Sequence, residues 1–147
     1  MNAGPVACDP SPFMWRVRVY WEDTDAGGVV YHASYVRYFE RARTEWLRSL
    51  GTDQARMHME QGVVFVVYAM DLRFLKPARM DDELDVSVAL YRRRAAGMDL
   101  RQTLTRVADA VRIAEARVKV ACVEASNFQP VRIPSGLFAE ATEQHES

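Results

Sequence analysis

One stretch of the chain repeats its apolar residues at helical spacing over four turns, and almost everything else alternates as strands do. Tyr35, Phe39, Ala42, Trp46 and Leu50 recur at three- and four-residue intervals, and Val36 and Leu47 widen the stripe. Ser34 is suited to cap the start, and Gly51 stands where a helix ends. Arg37, Glu40, Arg41, Arg43, Glu45 and Arg48 cover the opposite side. Arg41 and Glu45 are four apart, and Glu40 lies three residues from both Arg37 and Arg43, so ion pairs along the helix are expected there. A lone helix cannot bury such a broad stripe against itself; it needs the apolar face of another layer.

The flanking segments supply that layer. Trp15, Val17, Val19 and Trp21 fall on one face of an alternating run, with Arg16, Arg18 and Tyr20 on the other. A shorter helical stretch is expected over Asp53–Glu60. After Gly62 the pattern is β. Val63–Val67 is continuously apolar, Met70–Leu75 continues it with alternation, and Pro77 interrupts. Leu84, Val86, Val88 and Leu90 alternate. The run Arg92-Arg93-Arg94-Ala95-Ala96-Gly97 reads as a hairpin, Met98–Val107 as a weaker strand, and Asp109 as a turn. Ala116, Val118, Val120 and Cys122 alternate again. The order of strand, long helix and then strands predicts an α+β fold: a curved antiparallel sheet of about five strands wrapped around one long central helix. A ferredoxin-like arrangement fits worse, because no second central helix separates the later strands.

At 147 residues the chain is expected to hold one domain, residues 14–134. Residues 1–13, with Gly4-Pro5, Pro10 and Pro12, read as a flexible tail, and 135–147 as a C-terminal tail. A formal net charge of −1 gives no footprint for nucleic acid. No apolar run approaches the roughly 18 residues of a spanning helix, so no stable membrane insertion is expected. The N-terminus lacks a basic start and an apolar stretch, so no secretory signal is expected there. The two cysteines, Cys8 and Cys122, suggest no disulfide framework and a cytoplasmic location. With His58 and His145 they show no ligand spacing, so neither a metal nor a cofactor is expected.

The chemistry concentrates between strand and helix, in Glu22-Asp23-Thr24-Asp25-Ala26-Gly27-Gly28-Val29-Val30-Tyr31-His32. An acidic loop leaves a strand end and enters a helix N-terminus, which presents unpaired backbone N–H groups and a partial positive charge. The glycines, Gly28 among them, let a ligand approach the backbone closely. A carboxylate held there can act as base or nucleophile while a helix N–H polarises a carbonyl. The same residues also suit a purely structural role, with Asp23 and Asp25 completing turns and capping the helix.

The segment Arg18–Gly51 resembles the signature of hotdog-fold acyl-CoA thioesterases, specifically the Tol-Pal-associated group of the 4-hydroxybenzoyl-CoA thioesterase family. Phe65–Val86 resembles the family's next strand and turn, and Ala116–Ala125 matches more loosely. The resemblance implies a hotdog fold and hydrolysis of acyl-CoA to free acid and coenzyme A. It puts the catalytic carboxylate on Asp25, as nucleophile or general base, and the carbonyl-polarising N–H on His32. The imidazole of His32 suits proton transfer to a water or a thiolate, but packing is an equal alternative. A non-catalytic acyl-CoA or acyl-carrier-protein binding protein, or an envelope scaffold, is the alternative function on the same fold.

Tyr31 and Gly28 are candidate pocket residues, and Arg92, Arg93 and Arg94 are candidates to grip the phosphates of coenzyme A. Cys8 and Cys122 sit in no Cys-His motif and are poor nucleophiles. No Gly-x-Ser-x-Gly elbow is present, which disfavours an α/β-hydrolase. Arg101, Gln102 and Arg106 stand where relatives tend to be more apolar, a departure that bears on acyl preference or on the oligomer surface. The partners considered are acyl-CoA as substrate, an acyl carrier protein, and a second copy or more of the chain. An open sheet leaves unpaired edges, so a homodimer or homotetramer is expected.

Overall fold

The computed structural model describes residues 12–134; both chain ends, with Cys8 and His145, lie outside them. The elements run β1 (Phe13–Arg18), a 3-10 turn (Trp21–Asp23), α1 (His32–Ser49), α2 (Gln54–Gln61), β2 (Val63–Phe74), β3 (Glu83–Arg94), β4 (Gly97–Arg106) and β5 (Arg112–Glu124). The strands form one sheet in the order β1-β3-β4-β5-β2, with every neighbouring pair antiparallel. α1 lies on one face of it, which is the sheet-around-a-helix layout of the hotdog fold.

Tyr35, Phe39, Ala42 and Trp46 are buried, as the helical stripe requires, and Tyr38 joins them. Leu84, Val86, Val88, Leu100, Leu104 and Val118 meet them from the sheet. Two details differ from the sequence reading. α1 begins at His32 rather than near Ser34, and its cap residue Tyr31 makes no side-chain capping bond. Backbone bonds seat this end instead: Tyr31 N–H donates to the Asp23 carbonyl at 2.8 Å, and Val30 N–H to that of Ala78 at 2.8 Å. Ser34 is therefore inside the first turn, where its hydroxyl donates to the Asp23 carbonyl at 3.1 Å. The second difference is Trp21. β1 ends at Arg18, the chain turns, and Trp21 is left 81% exposed rather than on the buried face.

The surface pairing along α1 also differs. Glu45 pairs with Arg48 at 2.8 Å, not with Arg41. Among the described residues Glu40 forms no ion pair with Arg37 or Arg43.

β2 is one strand, with a register shift at Tyr68 between Val67 and Ala69. β3 and β4 form the expected hairpin about Ala95-Ala96. Gly97 there lies against β5 so closely that a Cβ would come within 2.5 Å of the Val120 carbonyl oxygen. β1 and β2 are the sheet's two edges, and both expose apolar side chains: Met14 and Trp15 on one, Val67 and Tyr68 on the other.

Candidate active site

The loop between β1 and α1 is built from its own backbone. Asp23 is buried, and its carboxylate accepts from Tyr20 N–H at 2.9 Å while its carbonyl receives Tyr31 N–H and the Ser34 hydroxyl. Asp23 is thus a structural post joining the strand end to the helix start. Thr24 and Val30 pair as an isolated bridge, and Asp25 N–H donates to Val29 O at 2.9 Å. Between them Asp25-Ala26-Gly27-Gly28 makes a tight turn, closed by Gly28 N–H to Asp25 O at 3.0 Å. Gly28 takes φ +82°, a left-handed conformation that side chains resist.

Asp25 lies exposed at the head of this turn. Its Oδ1 accepts from Gly27 N–H at 2.8 Å. The other oxygen has no hydrogen-bond partner among the described residues and faces no such constraint. Past the turn the chain enters α1 at His32, whose N–H is among the first four that a helix leaves without an internal acceptor. The site therefore holds a carboxylate and a free helix N-terminus on the two arms of one turn. No hydrogen bond joins Asp25 to His32 among the described residues.

The His32 ring is exposed but packed among aromatics. Its centroid is 4.5 Å from that of Tyr31 and 6.4 Å from that of Phe74, and Phe74 is 5.6 Å from Tyr35. Tyr31 is itself exposed beside the turn. Burial raises the Tyr35 phenol above its ordinary pKa, so it stays neutral, and its oxygen accepts Ala78 N–H at 3.2 Å. Burial, followed by the neighbouring Asp23, pushes Tyr38 up as well.

The loop before β3 braces the turn from below. Val29 bridges Arg79, Arg79 N–H donates to Asp82, and Arg106 donates to Asp82 at 3.1 Å and to the Pro77 carbonyl at 3.2 Å. Arg106, polar where an apolar residue was expected, is the clamp that holds this loop.

A cleft of about 490 Å³ runs between α1 and the inner faces of β2, β4 and β5. Val36, one turn beyond His32, lines it with Leu47, Phe65, Met70, Leu100 and Val120. Two charged residues, Glu40 and Arg43, also reach it. Arg43 donates to the Gln102 side-chain oxygen at 3.0 Å, and the Gln102 amide nitrogen donates to the carbonyls of Phe39 and Ser87 at 3.1 and 3.3 Å. Gln102 is 1% exposed. The sequence signal for this network was a polar residue on the inward side of β4; its partner on α1 gave none.

Arg92, Arg93 and Arg94 are not at this site within one chain. They close β3, while the Asp25 turn sits beside its start; nine to eleven residues of strand, roughly 30 Å or more, separate them. Arg94 is committed to Asp99 at 2.7 Å. Arg92 remains exposed, and Nε of Arg93 is buried without a partner among the described residues. Cys122 is a free thiol buried within β5, and burial raises its pKa, which disfavours the thiolate a nucleophile needs. No helix among the described residues is long and apolar enough to cross a membrane.

Residues 19–141 match the family model of the thioesterase-like superfamily. The chain is 43% identical over 128 residues to the acyl-CoA thioester hydrolase YbgC of Escherichia coli, covering 87% of this chain and 94% of that one. It superposes on a probable thioesterase from Bartonella henselae with a TM-score of 0.79 at 31% identity, over 84% of this chain and 100% of the other. A 1,4-dihydroxy-2-naphthoyl-CoA thioesterase from Synechocystis shares the fold, with a TM-score of 0.84 at 20% identity over 90% of this chain and 97% of that one.

Proposed function

The chain belongs to the thioesterase-like superfamily, and on that premise we propose that it hydrolyses acyl-CoA thioesters to a free acid and coenzyme A, with Asp25 as nucleophile or general base. The observation behind this reading is the exposed Asp25 carboxylate, fixed through Oδ1 alone, at the head of a turn that runs into the open N-terminus of α1. As base, Asp25 takes a proton from water. The hydroxide adds to the thioester carbonyl, the C–S bond breaks, and the thiolate leaves and is protonated. As nucleophile, its oxygen displaces the thiolate to give a mixed anhydride, which water then splits. In either case the carbonyl oxygen gains negative charge, and the His32 N–H, left without an internal acceptor at the helix start, receives it in this reading, a contribution of about 3 kcal/mol. The apolar cleft leading from Val36 towards Leu47 suits the acyl group.

Coenzyme A contacts from Arg92 and Arg93 then have to come from a second chain. In a two-fold pair joined at β2, the strand running antiparallel to its own copy, the Phe74 end beside His32 meets the partner's Val63 end. That end neighbours the β3–β4 hairpin across β5, since Gly97 pairs with Ala121 and Val64 with Val123. A homodimer of this kind assembles each site from both chains, and the free buried Cys122 accords with a reducing, cytoplasmic setting. Free-thiol release across short, long and aromatic acyl-CoAs, run on the wild type and on Asp25→Asn, tests the reading. Release by the wild type that Asp25→Asn abolishes supports it; no release from any of these substrates, or equal release by both proteins, overturns it.

A further inference from the structure

We infer that Glu40 and Arg43 are the charge code of the self-association face: each Glu40 pairs with the partner's Arg43 across a two-fold axis, twice per dimer. The inference rests on the paired-subunit reading above. Both residues line the cleft beside β2, an edge strand with no neighbour on that side among the described residues. Their level along the sheet is set by the ends of α1. His32 and Tyr35 meet Phe74 at one end of β2, and Leu47 shares the cleft with Phe65 near the other. Glu40 and Arg43 thus come level with the middle of β2, where Val67 and Tyr68 are exposed.

A two-fold axis through the middle of an antiparallel β2 pair sets the middle of α1 beside its own copy, running the opposite way. Residues three apart on facing flanks then swap places: Glu40 faces the partner's Arg43, and Arg43 faces the partner's Glu40. Such an interface is self-complementary, as two-fold symmetry demands.

The state of the two side chains within one chain fits this assignment. Neither forms a salt bridge among the described residues, although they lie three apart on one helix. Burial holds the Arg43 guanidinium below its ordinary pKa, only partly offset by Glu40. Gln102 grips one end of it at 3.0 Å, and Gln102 is itself locked between two main-chain carbonyls. A guanidinium half-buried beside apolar walls, braced from behind and lacking a carboxylate, is prepared for an acceptor from outside.

Sedimentation equilibrium on the full chain provides the test, with four proteins: wild type, Glu40→Arg, Arg43→Glu, and an equimolar mixture of the two variants. In either variant alone like charges face each other at both contacts, and the dimer dissociation constant is expected to rise by roughly 100-fold. In the mixture every contact again joins opposite charges, so a heterodimer forms with an affinity within roughly tenfold of the wild type. Arg43→Glu also strips Gln102 of its partner, so thermal melting checks its fold. Should it not fold, Glu40→Gln replaces it: loss of attraction alone is expected to weaken the dimer by roughly tenfold, less than Glu40→Arg. A dimeric wild type whose affinity none of these changes moves overturns the charge code and leaves the dimer standing. A monomeric wild type overturns the paired-subunit reading and the code with it.

Discussion

Asp25 is tied to the fold by one bond, Gly27 N–H to Oδ1, and that economy makes its role separable from its position. Asn at this position keeps an oxygen for Gly27 and loses only the negative charge. Asp25→Asn is therefore expected to lower turnover by at least ~100-fold while the melting temperature stays unchanged. Near-wild-type turnover would remove Asp25 from the chemistry, and unfolding would make it a turn-former. His32 divides differently. Its ring packs on Tyr31 and Phe74, whereas the group proposed to stabilise the oxyanion is its N–H, which alanine retains. His32→Ala is expected to stay within roughly tenfold of wild-type turnover and to keep the same pH–rate profile; loss of a limb near neutrality would give the imidazole a proton-transfer role. Residue types alone suited a turn or cap as well as catalysis, since an acid and glycines before a helix serve both, and it was the resemblance to hotdog-fold thioesterases that singled out Asp25 and His32. Neither signal exposed Tyr35 as the acceptor for Ala78 or Arg106 as the loop's clamp, because both depend on residues more than twenty positions away.

Among the elements, the helix and the later strands were readable because their periods, near 3.6 and 2, are direct consequences of which face is buried. Trp21 misled because alternation continues in the letters after β1 has ended, and the 3-10 turn at Trp21–Asp23 is fixed by a buried Asp23 that local pattern does not register. The β3–β4 hairpin is the element most open to test. Gly97 has no room for a side chain, and a Cβ 2.5 Å from the Val120 oxygen must push β4 away from β5. Gly97→Ala is expected to destabilise the protein by about 1–3 kcal/mol, measured by chemical denaturation. It is also expected to raise KM for acyl-CoA more than it lowers kcat, because it displaces Arg92 and Arg93. Asp99 sets the acid limit of the same hairpin. Its bond to Arg94 holds the carboxyl below its ordinary pKa of 3.8, so the stabilisation is complete above that value and is lost as pH falls through the lowered one. Asp99→Asn should therefore melt below the wild type near pH 7, and the gap should close as both are taken down to about pH 2. A gap that persists in acid would show that the bond contributes by geometry rather than by charge.

On the scale of the whole molecule, one chain holds the Asp25 turn, the proposed reaction centre, beside one end of β3 and the cationic candidates Arg92 and Arg93 at the other, and a single sheet cannot bring those ends together. The sequence showed both sets of residues but not their separation, since strand direction and length are set only when β3 pairs with β1 and β4. The antiparallel pairing of β2 with its copy proposed above would resolve the separation and cover an exposed edge in the same step. Sharing of this kind has a signature that no single-chain site produces. Asp25→Asn and Arg92→Ala/Arg93→Ala each impair both sites of their own dimer. Mixed and reassembled, roughly half the dimers carry one chain of each type; in them one site holds both lesions and the other is intact, so about a quarter of wild-type turnover returns. Thiol release measured at acyl-CoA well below KM, where a binding lesion lowers the rate, before and after subunit exchange follows this directly. If Arg92 and Arg93 served the Asp25 turn of their own chain, each site in the mixed dimer would carry one lesion, and exchange would restore nothing.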